Sequence, residues 1–235
     1  MTPSSPPPAG WELLRGRVDA PPPLTPLRAG TLEASLEGVD VRYVRAGGEE
    51  VVRRLYVAVR DVDWGTVPGE VLELRLDGDG TRFEARFEVA HRGGDVDFRW
   101  RGAIAGTPDA LTYEMDGVAR SPFAYCRIGL CVLHPPSDAG RPYRAATPAG
   151  EISGTLPELI EPQRVEAGRL RPIFPSFTAL TLGADFRFEG DEFEMEDQRN
   201  WTDASFKTYS TPLALGFPHH AEAGQRIAQR VTVRA

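Results

Sequence analysis

From about Leu32 the chain alternates apolar and polar residues with a period of two. Val39, Val41 and Tyr43 flank Asp40 and Arg42, and Leu72, Leu74 and Leu76 flank Glu73 and Arg75. Phe83, Ala85, Phe87 and Val89 alternate with Glu84, Arg86 and Glu88; Val96, Phe98 and Trp100 do so with Asp97 and Arg99; Leu111, Tyr113 and Met115 complete the series. Successive side chains on a strand point to opposite faces, so each run predicts a strand with one apolar and one charged face. Such strands belong in antiparallel sheet with one side in solvent. The runs are punctuated by Gly47-Gly48, Asp77-Gly78-Asp79-Gly80, Gly93-Gly94 and Thr107-Pro108-Asp109. Glycine there supplies the positive φ that tight hairpins need.

The run from Phe123 to His134 is apolar on both faces and predicts a strand covered on both sides. Arg127 interrupts it; a charge at that position must be paired or face a cavity. Residues 135–176 carry prolines at 135, 136, 142, 148, 157, 162, 172 and 175 and read as irregular. Strands resume over 178–182, Phe186 to Met195 reads as a hairpin about Gly190-Asp191, and Gln225 to Val233 supplies a last strand. Residues 1–26 hold eight prolines, which fix φ and remove backbone donors. The expected architecture is all-β: a large two-sheet antiparallel β-sandwich over residues 29–235, preceded by a disordered Pro-rich tail over residues 1–28.

Composition narrows the function. A net charge of −7 argues against a surface that coats nucleic acid. No apolar run approaches the ~20 residues of a membrane span, and Met1 to Gly10 has no secretory pattern, so a cytoplasmic location is expected without membrane partners. Cys126 and Cys131, five residues apart, fall on opposite faces of one strand and read as small apolar fillers. His219-His220 are adjacent, which suits chelation poorly; no metal or cofactor is expected, and no phosphate loop or G-x-S-x-G motif is present.

Of 27 basic residues only Lys207 is lysine, and Asn200 is the single asparagine. Both lie in the densest polar and aromatic stretch, Glu194 to Tyr209. Acids, an amide, bases and an indole suit a sugar, whose hydroxyls need paired donors and acceptors. Glu196, Asp197 and Asp203 are the candidate bases, Arg199, Asn200 and Lys207 the candidate donors, and Trp201 a stacking platform. Arg127 and His134 are candidate substrate contacts from the covered strand. The competing readings are a solvated loop anchored by a buried Trp201, a salt bridge for Arg127 and a structural hydrogen bond for His134.

The run Phe193-Glu-Met-Glu-Asp-Gln-Arg-Asn-Trp-Thr-Asp-Ala-Ser-Phe-Lys-Thr-Tyr209, with Pro212-Leu213-Ala214 after it, resembles the signature of bacterial D-apionate lactonases. So does Arg127 to Pro135. The resemblance covers about residues 30–235 and corresponds to the family's N-terminal β domain. It implies a module of an enzyme that opens D-apionolactone to D-apionate in branched-sugar catabolism, with the sugar lactone or sugar acid as partner. Members continue into a barrel domain, so a barrel domain or a downstream-encoded subunit is a further implied partner. A mutarotase-like supersandwich is the larger form of the expected fold. The alternative functions are a non-catalytic carbohydrate-binding or domain-docking module, and a sugar epimerase by fold analogy alone.

Overall fold

The computed structural model describes residues 22–160, 172–201 and 203–235, together with Gly10, Ala20 and the segments 165–166 and 169–170. Its first strands are β1 (Leu24–Ala29), β2 (Leu32–Glu37), β3 (Asp40–Ala46), β4 (Glu49–Arg60), β5 (Gly69–Gly78), β6 (Phe83–Gly93), β7 (Val96–Thr107) and β8 (Ala110–Ala119). There follow β9 (Phe123–Tyr125), β10 (Arg127–Leu133), β11 (Pro142–Thr147), β12 (Gly150–Thr155), β13 (Val165–Glu166) and β14 (Arg169–Leu170). The chain closes with β15 (Phe174–Phe177), β16 (Ala179–Leu182), β17 (Ala184–Glu189), β18 (Phe193–Asp197), β19 (Phe206–Tyr209), β20 (His219–Ala221) and β21 (Arg226–Arg234). No helix among the described residues is long and apolar enough to cross a membrane.

Two antiparallel sheets carry the fold. One has eight strands in the order β1-β2-β3-β4-β10-β19-β18-β15, the other nine in the order β12-β11-β16-β17-β21-β8-β7-β6-β5. Alternation explains their packing. Leu55, Val59, Ile128 and Leu130 from the first sheet and Phe87, Trp100, Ile104 and Tyr113 from the second belong to one continuous core. Residues of opposite parity on β4, β10 and β19 form a smaller cluster, Tyr56, Ala58, Cys131, Leu133 and Tyr209, on the outer face of the eight-stranded sheet. All seven residues of β10 are buried, as its two apolar faces require. Cys126 and Cys131 are free thiols.

Four expectations change. The first strand begins at Leu24, inside the expected 1–28 tail, most of which lies outside the described residues. Pro26 is tolerated because β1 is an edge strand with one unpaired side. The irregular segment 135–176 contains the hairpin β11–β12, with Pro142 opening its first strand and Pro148 in its turn. Leu72, Leu74 and Leu76 do not bury a face: β5 is the other sheet's edge, and each is 40–42% exposed.

The fourth change matters most for function. Residues 186–195 are not a hairpin, because β17 lies in the nine-stranded sheet and β18 in the eight-stranded one. The link crosses between sheets at Gly190, whose φ of 92° and close approach to Ala228 O leave no room for a Cβ. The crossing sets β18 beside β19 and so builds the site.

Candidate functional site

Register assembles the site from four neighbouring strands. Tyr56 of β4 faces Cys131 of β10, which faces Tyr209 of β19, which faces Glu194 of β18. The next row runs Arg54, Leu133, Lys207, Glu196. Paired residues share a face, so both rows lie on the outer side of the sheet. Arg127 and Arg60 pair four residues further along that face.

A cleft of about 410 Å³ opens over these rows, lined by Arg60, Trp64, Arg127, Glu196, Gln198, Trp201, Asp203, Lys207, Tyr209 and Leu213. The β18–β19 connection forms one wall and is closed on itself by Gln198 N–H donating to Ser205 O at 3.0 Å. Trp64 comes from a turn built on Asp61, whose Oδ1 accepts from the N–H groups of Asp63 and Gly65. Trp64 has a φ of 63°, a strained setting for a bulky residue, and its ring meets Phe217 edge to face at 5.0 Å.

The charges in the cleft are unequally satisfied. Lys207 Nζ donates to Asp203 at 2.8 Å. Burial opposes the lysine's charge, but Cys131, Tyr56 and Asp203 around it hold its pKa above the ordinary value. Burial pushes Tyr56 up to about 12. Glu196 accepts from Gln198 Nε2 at 2.7 Å and from Tyr209 Oη at 2.5 Å. Arg127 is 7% exposed, and its guanidinium lies 3.5 Å from the centroid of the Tyr209 ring and 5.3 Å from that of Trp64. Its side chain makes no hydrogen bond or ion pair among the described residues, and its Nε is buried without a partner there. The expected salt bridge is therefore not formed.

Of the nine expected site residues, Arg127, Glu196, Trp201, Asp203 and Lys207 line the cleft. Trp201 is 55% exposed and so is not a core anchor. Four are elsewhere. Asp197 has the opposite parity to Glu196 and receives Arg199 Nε and Nη2 at 2.9 and 2.8 Å. Arg199 also donates to Glu158 O and Leu159 O, so it braces the neighbouring loop. Asn200 is exposed in the turn and does not line the cleft. His134 is buried against Phe186, with Nε2 2.9 Å from Thr208 Oγ1; it does not line the cleft, and burial pulls its pKa down to about 3. His219 and His220 lie on β20, and no metal-binding group of three or more His, Cys, Asp or Glu occurs among the described residues.

Sequence reasoning missed Arg60, Trp64, Gln198, Tyr209 and Leu213. Tyr209 was within reach: two residues beyond Lys207 on a strand, it must share that residue's face. Trp64 carried no comparable signal.

The model of the family described as D-apionate lactonase, N-terminal domain, matches residues 13–235. The D-apionate lactonase of Brucella anthropi is 35% identical over 234 residues, covering 94% of this chain and 37% of that protein. The chain thus spans little more than a third of the curated relative's length. Among solved structures, the Slr1438 protein of Synechocystis sp. PCC 6803 aligns with a TM-score of 0.55 at 11% identity, over 92% of this chain and 96% of that one. The GalM/aldose epimerase homologue of C. elegans gives 0.54 at 8%, over 90% and 98%. A galactose mutarotase-like protein of Lactobacillus casei gives 0.52 at 9%, over 90% and 99%. These likenesses establish the mutarotase-like sandwich fold.

Proposed function

The chain belongs to the family of D-apionate lactonase N-terminal domains, and we propose that its cleft binds D-apionolactone or D-apionate and takes part in opening the lactone to the acid. The observation that carries this reading is Arg127: a buried guanidinium with no hydrogen bond or ion pair among the described residues, held near two aromatic rings and opening on the cleft. Burying a charge without a partner is costly, and an anionic or polarised oxygen from a ligand removes the cost. A sugar acid offers a carboxylate, and a lactone offers a carbonyl that gains negative charge when attacked.

The remaining groups have roles in this reading. Trp64 and Trp201 give apolar faces for the sugar's C–H surfaces. Gln198 and the Lys207–Asp203 pair offer donors and acceptors to hydroxyls. Glu196 is the base: water attacks the lactone carbonyl while Glu196 takes its proton, Arg127 balances the oxyanion, and the ring C–O bond breaks as Glu196 returns that proton to the departing ring oxygen. Asp197, Arg199, Asn200 and His134 have no part in these steps.

Titration of D-apionate followed by tryptophan fluorescence tests binding, and acid release from D-apionolactone tests turnover. Arg127→Ala is expected to weaken binding by about 10- to 100-fold, the worth of a charge-assisted hydrogen bond. Retention of full affinity in that variant would overturn the assignment.

A docking reading has its own support. Leu159, Ile160, Trp201, Leu215 and Phe217 are 43–80% exposed on segments around the cleft, and the curated relative is much longer than this chain. Here the face would meet a barrel domain or a separately encoded subunit. Absence of both sugar-acid binding and turnover would favour it.

A further inference from the structure

Beside the cleft, one hydroxyl serves two carboxyl groups. Tyr209 Oη lies 2.6 Å from Glu194 Oε1 and 2.5 Å from Glu196 Oε1. A phenol has a single proton, so it donates to one of them at a time. Glu194 and Glu196 are 1% and 3% exposed, and two buried carboxylates on one oxygen would repel each other.

Their surroundings separate them. Glu196 has both oxygens engaged, one by Tyr209 and one by Gln198 Nε2. Glu194 concentrates its contacts on Oε1, which also receives the Leu213 N–H at 2.8 Å, while Oε2 is buried with no hydrogen-bond partner among the described residues. An ion with one stranded oxygen is poorly stabilised; a neutral carboxyl loses far less there. The other charged and titratable groups on this face are Arg127 of β10, Lys207 of β19 opposite Glu196 with its partner Asp203, Cys131 of β10 opposite Tyr209, and Tyr56 of β4 beyond Cys131. Burial raises the Glu194 pKa; Tyr209 and Leu213 work against the rise, and Glu196 adds to it.

We propose that Glu194 is the protonated member of a three-residue proton store, with Tyr209 as relay and Glu196 as the ionised end facing the cleft. The Glu194 O–H donates to Tyr209 Oη, whose own O–H donates to the Glu196 carboxylate. A concerted shift breaks the O–H bond on Glu194, passes that proton to Tyr209 and moves the phenolic proton to Glu196. The phenol ends neutral, one carboxyl O–H is lost and one is formed, and no other reactant is needed. Glu194 is thus a positioning residue that lets Glu196 present either a lone pair or a proton. Its use in lactone opening rests on the cleft reading above; the proton itself does not.

Infrared difference spectroscopy on the full chain at neutral pH reads the proton directly. The C=O band of a protonated carboxyl is expected in the unmodified protein, retained in Glu196→Gln and lost in Glu194→Gln. Tyr209→Phe, which keeps the ring under Arg127, is expected to shift that band by removing its acceptor. No such band, or one unmoved by both Glu194→Gln and Tyr209→Phe, would overturn the proposal; if Glu194→Gln fails to fold, the Tyr209→Phe shift decides alone. Failure of D-apionate to bind would count against the proposed function and leave the infrared result standing.

Discussion

Arg127 and Arg199 both sit over aromatic rings, Arg127 over Tyr209 and Arg199 at 4.4 Å from the centroid of Phe206. Arg199 spends its donors on Asp197 and on two loop carbonyls, and its side chain is 7% exposed. It is a brace rather than a ligand group. Arg199→Ala is expected to cost about 1–3 kcal/mol of stability, seen as a lower urea midpoint, and to speed hydrogen exchange at 158–160. Binding in the cleft should change little beside the loss expected for Arg127→Ala. Sequence separated these arginines only in part. Arg127 stood out because it broke an apolar strand, whereas Arg199 stood among acids and amides whose directions a loop does not reveal. Asp197 shows the same limit: chemically it equals Glu196, and one step along the strand turns it to the other face.

Between β6, β7 and β8 the sheet depends on glycines lying under aromatic rings. A Cβ on Gly102 would come within 2.1 Å of Phe87, and one on Gly106 within 2.2 Å of Phe83, each glycine's cross-strand partner. Gly106→Ala should therefore destabilise by about 1–3 kcal/mol through overpacking, despite alanine's better intrinsic fit to a strand. A thermal melt compared with the unmodified chain checks it. These strands were legible because each forms a local hairpin with one wet face. The crossing at Gly190 was not, since a turn between two alternating runs looks the same whether they pair or part to opposite sheets. The β11–β12 hairpin was hidden by prolines that sit at its ends, where they take no donor from the ladder.

For the molecule as a whole, two buried groups pull the pH dependence of stability in opposite directions. Burial lowers the His134 pKa from 6.5 to about 3, so the unfolded chain binds its proton first and stability rises with pH across that interval. Burial raises Asp138 from 3.8 to about 6, against the pull of Arg141. There the folded chain keeps its proton longer, and stability falls as pH climbs through the same range. The two slopes largely cancel between about pH 4 and 6. Asp138→Asn should make the slope of stability against pH more positive than the parent protein's, by up to about 1.4 kcal/mol per pH unit, in urea melts stepped across that window. A slope unchanged from the parent protein would refute the pairing.

The strand that closes the nine-stranded sheet follows every other strand of that sheet in sequence. β21 lies between β17 and β8, nine of its residues in register with β8 and five with β17. During synthesis both flanking strands emerge first and wait without their shared neighbour, each exposing a hydrogen-bonding edge. Until residues 226–234 leave the ribosome, the sheet exists only as two separate parts. Gly190 packs against Ala228 of that strand, so the crossing that delivers β18 to the cleft is also fixed late. The cleft, though it holds no residue of β21, thus has its assembly timed by that strand: ribosome-bound chains stalled before residue 226 should remain open to protease, and chains stalled with residues 226–234 clear of the ribosome should close.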